Sequence, residues 1–152
     1  MAVEVGSLAP DFELRDQHGT PVTLSGHRGK KVVLIFYPLA FSSVCHGELS
    51  AVRDELTAGL PEDVQILAVS VDSVFSQRAW ADREGYGFSL LSDFWPHGQV
   101  ARAYGVFDDD RGVARRGTFI IDGEGVVRWR VVNPIPEARD IAEYRTALAQ
   151  LP

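Results

Sequence analysis

The segment VVLIFYPLAFSSVCHGEL, residues 32–49, constrains the fold more than any other part of the chain. It begins as an unbroken apolar run, Val32-Val33-Leu34-Ile35-Phe36-Tyr37, rich in β-branched and aromatic residues. Such a run predicts a strand covered on both faces, as in the interior of a parallel sheet. Pro38 ends it, since proline has no N–H for the ladder. After a short loop, Leu39 to Val44, the chain reaches its only cysteine, Cys45. From there Leu49, Val52, Arg53, Leu56 and Leu60 recur at helical steps. A buried strand thus hands the chain to a loop that sets Cys45 at or near a helix N-terminus. The first N–H groups of a helix lack acceptors, and the macrodipole is positive there, so a thiolate is favoured over a thiol.

The chain has 152 residues, 45% of them hydrophobic, which suits one domain, 1–152, with a real core. A net charge of −6 argues against nucleic acid or an anionic membrane as the main partner. No apolar stretch reaches spanning length, and Met1-Ala2-Val3-Glu4 lacks the basic-then-apolar order of a signal peptide. A cytoplasmic protein is expected. One cysteine excludes an internal disulfide, a CxxC redox pair and a cysteine-built zinc site.

Residues 1–29 read as an entry segment. Ala9-Pro10-Asp11-Phe12-Glu13-Leu14 and Val22-Thr23-Leu24 alternate, and Asp16-Gln17-His18-Gly19 between them turns the chain, so an N-terminal β-hairpin is expected. His18 and His27 lie in polar turns without metal-ligand spacing and read as surface residues. Beyond Gly59-Leu60-Pro61, Val64 to Val71 is a second strong strand. Ser73 or Asp72 caps a helix over about 74–84, which Gly85-Tyr86-Gly87 ends; Trp80 on it reads as core. Phe88 to Asp93 is a short strand, followed by the aromatic loop Phe94-Trp95-Pro96-His97-Gly98 and a short helix over about 99–104. Asp108-Asp109-Asp110 lacks the alternate ligands of a calcium loop and reads as solvated loop. Arg115 to Asp122 and Val126 to Val132 form a hairpin around Gly123-Glu124-Gly125, and Glu137 to Leu151 predicts a closing amphipathic helix with Ile141, Tyr144, Leu148 and Leu151 on one side.

This order is that of an α/β domain with a thioredoxin-like fold: a central mixed β-sheet flanked by helices, its two strongest strands parallel through a right-handed crossover.

A lone cysteine is most often a small buried hydrophobe. Here its surroundings speak otherwise. Pro38, Ser42 and Cys45 spell Pro-x-x-x-Ser-x-x-Cys, and this segment resembles the peroxidatic loop of the peroxiredoxins. Ala9-Pro10-Asp11-Phe12 at the start, Leu90-Leu91-Ser92-Asp93 and Tyr104-Gly105-Val106 in the middle, and Arg116-Gly117-Thr118-Phe119-Ile120-Ile121-Asp122 extend the resemblance over nearly the whole chain. Ser92-Asp93-Phe94-Trp95-Pro96-His97-Gly98 is most similar to the actinobacterial one-cysteine subgroup, the alkyl hydroperoxide reductase E type. Two departures stand out. Serine replaces the usual threonine at position 42, and no second cysteine exists to resolve an oxidised Cys45.

The resemblance implies a thiol peroxidase. Cys45 would attack a hydroperoxide, while Ser42 and Arg116 hold the peroxide oxygens and Pro38 shields the sulfur. Composition alone does not choose among the arginines; the motif selects Arg116, and strand alternation points Arg115 the other way. Glu48 matches a helix glutamate that orients arginines and substrate, and otherwise reads as a solvent-facing acid. Phe41, Phe94 and Trp95 offer an apolar approach suited to organic peroxides. The substrate is hydrogen peroxide, an alkyl or fatty-acid hydroperoxide, or peroxynitrite. An external thiol must return the sulfenic acid to thiol: a low-molecular-weight thiol with a glutaredoxin-like protein, or thioredoxin. Metal, flavin and haem are not required. A homodimer or larger assembly is expected.

Two other readings compete. A cysteine hydrolase would need a histidine base; His46 is a sequence neighbour that cannot face Cys45 on a helix, whereas His97 is free to approach. A redox sensor would use Cys45 as a switch without turnover.

Overall fold

A computed structural model describes residues 2–151. The chain runs β1 (Glu13–Arg15), β2 (Pro21–Thr23), β3 (Lys31–Phe36), α1 (Ser43–Ala51), β4 (Val64–Ser70), α2 (Val74–Glu84), β5 (Ser89–Ser92), α3 (Gln99–Ala103), β6 (Phe107–Asp108), β7 (Val113–Ala114), β8 (Arg116–Ile121), β9 (Val127–Asn133) and α4 (Ala142–Ala149). Seven strands form one sheet in the order β2-β1-β5-β4-β3-β8-β9. β3 pairs with β4, and β4 with β5, in parallel, while β8 and β9 add antiparallel strands beyond β3. β1 and β2 are the expected N-terminal hairpin. The mixed sheet with flanking helices agrees with the sequence.

Two cores follow from the alternation of β3. Val33 and Ile35, with Tyr37 just beyond, face a cluster containing Leu49, Val52 and Leu56, Trp80 and Ala81 of α2, and Tyr144 and Leu148 of α4. Val32, Leu34 and Phe36 face Phe12, Leu24, Val100, Tyr104 and Phe119. Each of these β3 side chains is at most 2% exposed. At roughly 1.5–3 kcal/mol for each large side chain removed from water, this strand fixes its own position between the layers.

Several boundaries differ from expectation for local reasons. α2 is capped as read, with Ser73 Oγ accepting from Ser76 N and Gly85 left-handed at φ 72°. The helix after Cys45 is regular only to Ala51; from Val52 to Leu56 it widens into a π-turn, and Leu60 lies beyond it. This keeps both Val52 and Leu56 fully buried. The acidic run is not all loop, because Phe107–Asp108 pairs with Val113–Ala114. Asp108 accepts from the N–H groups of Asp110 and Arg111, which closes that small hairpin.

The closing helix is shorter than its apolar periodicity predicts. It starts at Ala142, where Asp140 accepts from Ala142 N, and Arg139 just before it is anchored to Glu48 through both its N–H and its guanidinium. Pro134 and Pro136 hold the preceding segment outside helical geometry. No helix among the described residues is long and apolar enough to cross a membrane.

Candidate active site

β3 ends at Phe36, and the chain turns at buried Pro38 into an exposed loop before α1. Ser42 is the N-cap residue, with extended backbone at φ −76° and ψ 147°. Its side chain makes no cap hydrogen bond; the hydroxyl donates to Leu39 O at 2.8 Å. The first helical hydrogen bond runs from His46 N to Ser42 O, so the N–H groups of Ser43, Val44 and Cys45 precede any intrahelical acceptor. Cys45 is a free thiol on the third helical residue, and it is 0% exposed.

Glu48 lies one turn further, on the same face as Cys45. From the other side of the sheet strand comes Arg116. β8 runs antiparallel to β3 with Thr118 opposite Ile35. Arg116, two residues further toward the loop end of β3, is therefore carried to the point where the chain turns toward Cys45. Alternation buries Arg116 and exposes Arg115, as expected. Arg116 Nη1 donates to Cys45 Sγ at 3.2 Å and to Glu48 Oε1 at 2.6 Å, while its Nε donates to Ile135 O.

Glu48 is not the solvent-facing acid of the alternative reading. It is 4% exposed and is gripped by a second arginine that the sequence did not single out, Arg139. The Arg139 backbone N and Nε donate to Glu48 Oε2 at 2.7 and 2.9 Å, and Nη2 donates to Oε1 at 2.9 Å. Its Nη1 donates to Phe36 O, Gly117 O and Thr118 Oγ1. Arg139 thus ties α1 to β3 and β8 at the residue next to Arg116. No local pattern announces it, since 91 residues separate it from Glu48. The one cue in the sequence is its place just after the Pro134–Pro136 break.

Burial raises the Glu48 pKa, but the hydrogen bonds and charge of Arg139, with Arg116 behind them, outweigh it and hold the carboxyl below its ordinary value of 4.5. Two guanidiniums, which stay protonated in proteins, face one carboxylate. One positive charge remains over beside the sulfur. The cluster suits an anionic sulfur nucleophile and a departing oxygen that gains negative charge.

The remaining candidates are less closely gathered. Ser42 lies in the loop, but its hydrogen bond is to Leu39 and not to Cys45. Phe41 is 48% exposed, has φ 68°, and rests its ring 6.1 Å from that of Trp80. Trp95 and Phe94 are 81% and 54% exposed on the loop after β5, and Trp95 is thus largely in solvent. Neither histidine is engaged with the sulfur. Exposed His97 has Nε2 2.7 Å from Gly112 O with its ring on Phe107, and His46 Nδ1 is 3.5 Å from Glu84. The base a cysteine hydrolase requires is therefore not assembled. His18 is exposed, and His27 is half-buried with Nδ1 2.9 Å from Thr23 O. Among the described residues no three His, Cys, Asp or Glu side chains gather as a metal site.

Residues 5–130 match the AhpC/TSA family. The chain is similar to alkyl hydroperoxide reductase E of Mycobacterium tuberculosis, 47% identical over 150 residues, covering 98% of each chain. It is 40% identical over 158 residues to the chloroplastic 2-Cys peroxiredoxin BAS1 of Spinacia oleracea, covering 97% of this chain and 59% of that protein. The crystal structure of Enterococcus faecalis AhpC superposes with a TM-score of 0.87 at 30% identity, over 98% of this chain and 92% of that one.

Proposed function

The chain belongs to the AhpC/TSA family of peroxiredoxins, and from that membership we propose that its thiol-dependent peroxidase activity runs through Cys45 by a one-cysteine cycle. The observation that carries this reading is the Arg116 guanidinium, donating to the buried sulfur at 3.2 Å within a cluster that holds one excess positive charge.

In the first half-cycle the Cys45 sulfur anion attacks the terminal oxygen of a hydroperoxide. An S–O bond forms as the O–O bond breaks, and the departing oxygen takes a proton to leave as water or an alcohol. Arg116 faces the charge as it moves from sulfur to oxygen. Ser42 has one hydroxyl hydrogen, given to Leu39 O, so its role is to accept the peroxide's O–H hydrogen. Glu48 and Arg139 hold Arg116 in place, and Pro38 covers the sulfur. In the second half-cycle an external thiol displaces water from the sulfenic acid to give a mixed disulfide. A second thiol then exchanges it off, so two thiols are oxidised per peroxide reduced. The reductant is a low-molecular-weight thiol with a glutaredoxin-like protein, or thioredoxin. A cytoplasmic setting suits an enzyme whose single cysteine must be returned to the thiol, and a homodimer or larger assembly belongs to the same proposal. Phe41, exposed within the loop before α1, and Trp95, exposed on the loop after β5, supply apolar surface for the organic part of an alkyl hydroperoxide.

Stopped-flow oxidation by one equivalent of hydroperoxide, followed by intact mass, tests this. Fast thiol loss with a gain of one oxygen is expected, abolished in Cys45→Ser and slowed at least about a hundredfold in Arg116→Ala. Oxidation at the rate of an ordinary thiol, indifferent to Arg116, would favour the sensor reading. A long-chain hydroperoxide reacting more slowly than hydrogen peroxide would rule out the apolar approach.

A further inference from the structure

A chain of hydrogen bonds outside the Cys45 cluster ends on the loop that leads into α1, whose Ala40 packs against the core that holds Cys45. Gln77, 0% exposed on α2, donates from Nε2 to Ser70 Oγ at 3.0 Å and to Leu91 O at 2.8 Å. Ser70, 1% exposed at the end of β4, donates its hydroxyl to Asp72 Oδ2 at 2.6 Å. The Asp72 backbone is fixed in turn, because Ser92 Oγ donates to its carbonyl at 2.6 Å. Asp72 Oδ2 then accepts from Ala40 N at 2.8 Å. Ala40 sits midway between Pro38 and Ser42, with its neighbour Phe41 in the left-handed region at φ 68°.

That conformation is disfavoured for a bulky residue and persists only where the surroundings impose it. The Asp72 carboxylate holds the residue before Phe41, and the Phe41 ring rests against Trp80. Cys45 is 0% exposed, lies three residues beyond Ser42, and shares its core cluster with Ala40, so the loop conformation bears both on how a peroxide meets the sulfur and on how far larger reagents reach it.

We propose that Asp72 is a positioning residue of the peroxidase reaction: through the Ala40 N–H it clamps the loop 38–42 in the conformation that presents Ser42 and Pro38 over Cys45. The inference rests on the peroxidase reading. It gives the Asp72 side chain a role in the reaction without contact with substrate or sulfur.

The test measures two rates on the same proteins: Cys45 oxidation by hydroperoxide, and Cys45 alkylation by the bulky reagent monobromobimane. Asp72→Ala removes the acceptor. It is expected to slow oxidation about tenfold while speeding alkylation several-fold, with a thermal midpoint within about 4 °C of the wild type. Asp72→Asn keeps an oxygen where Oδ2 stands and should restore both rates to within about threefold of wild type. A general loss of folding would lower the midpoint and would not be repaired by asparagine.

Wild-type rates in Asp72→Ala overturn the proposal. So does an Asp72→Asn defect as large as that of alanine, because then charge rather than the hydrogen bond matters. If Asp72→Ala does not fold, Asp72→Ser, whose shorter side chain does not place an acceptor where Oδ2 stands, decides: slower oxidation with faster alkylation supports the clamp, and unchanged rates overturn it. A wild-type sulfur no faster than an ordinary thiol would instead remove the peroxidase reading. The alkylation ratio, which needs no peroxide chemistry, would still decide whether Asp72 holds the loop.

Discussion

At the scale of single residues, the cluster around Cys45 is held by a carboxylate with two cationic partners. Removing one member of such a buried set leaves uncompensated charge, and the cost is about 3–5 kcal/mol. Glu48→Gln is therefore expected to destabilise the fold by an amount of that order at neutral pH. The sign of the pH dependence follows from the depressed Glu48 pKa. The contribution is fully present above the ordinary value of 4.5 and is lost as pH falls through the lower folded value. Urea unfolding of wild type and variant should thus show a gap that is widest near neutrality and narrows on acidification; a constant gap would count against the ion-pair account. Cys45, Ser42 and Pro38 stand out in the sequence through their spacing in one short run, and Arg116 only through its resemblance to the family's strand motif. Arg139 does not stand out, since its partners come from α1, β3 and β8, and a buried arginine looks like any other until the fold gathers its acceptors. The direction of the Ser42 hydroxyl was equally out of reach, because one rotatable bond decides it.

At the scale of elements, β8 both builds the sheet and delivers Arg116. Its second residue, Gly117, leaves no room for a side chain: a Cβ there would stand 2.8 Å from Val106 Cγ1. Gly117→Ala is expected to push β8 from the short segment before β6, costing about 1–3 kcal/mol and slowing Cys45 oxidation as Arg116 shifts. Chemical denaturation with the stopped-flow assay reads both, and an unaltered protein would show that Val106 yields. The elements themselves were largely legible. The runs of β3 and β4 and the capped, glycine-ended α2 carry their own signals within a few residues. Where the expectation failed, a long-range contact competed with a local pattern. The amphipathic period from Glu137 predicted helix, yet the backbone and guanidinium of Arg139 both bind Glu48 across the fold, and the helix begins only at Ala142.

At the scale of the molecule, the loops following β3, β4 and β5 leave the same ends of three parallel neighbours. The loops after β3 and β5 and the start of α2, which follows the short loop after β4, bear large apolar side chains in solvent: Leu39, Phe41, Phe75, Phe94 and Trp95. Clustered apolar exposure is a mark of association, and the proposed homodimer would cover it. Sedimentation equilibrium at micromolar protein is expected to give at least twice the 16.7 kDa chain mass, and Trp95→Glu with Phe94→Glu to shift the balance toward monomer. A monomer at all concentrations would set the assembly aside. Sequence could place these aromatics in loops but not say that they remain uncovered, which depends on what the rest of the chain leaves over them. The Arg116, Glu48 and Arg139 side chains, by contrast, are each no more than 3% exposed. Dissolved ions screen charges they can surround, and they cannot surround these. The field at the sulfur is therefore screened far less by the salt of the medium than a surface charge would be, and a cell that concentrates or dilutes its electrolytes changes this part of the chemistry little.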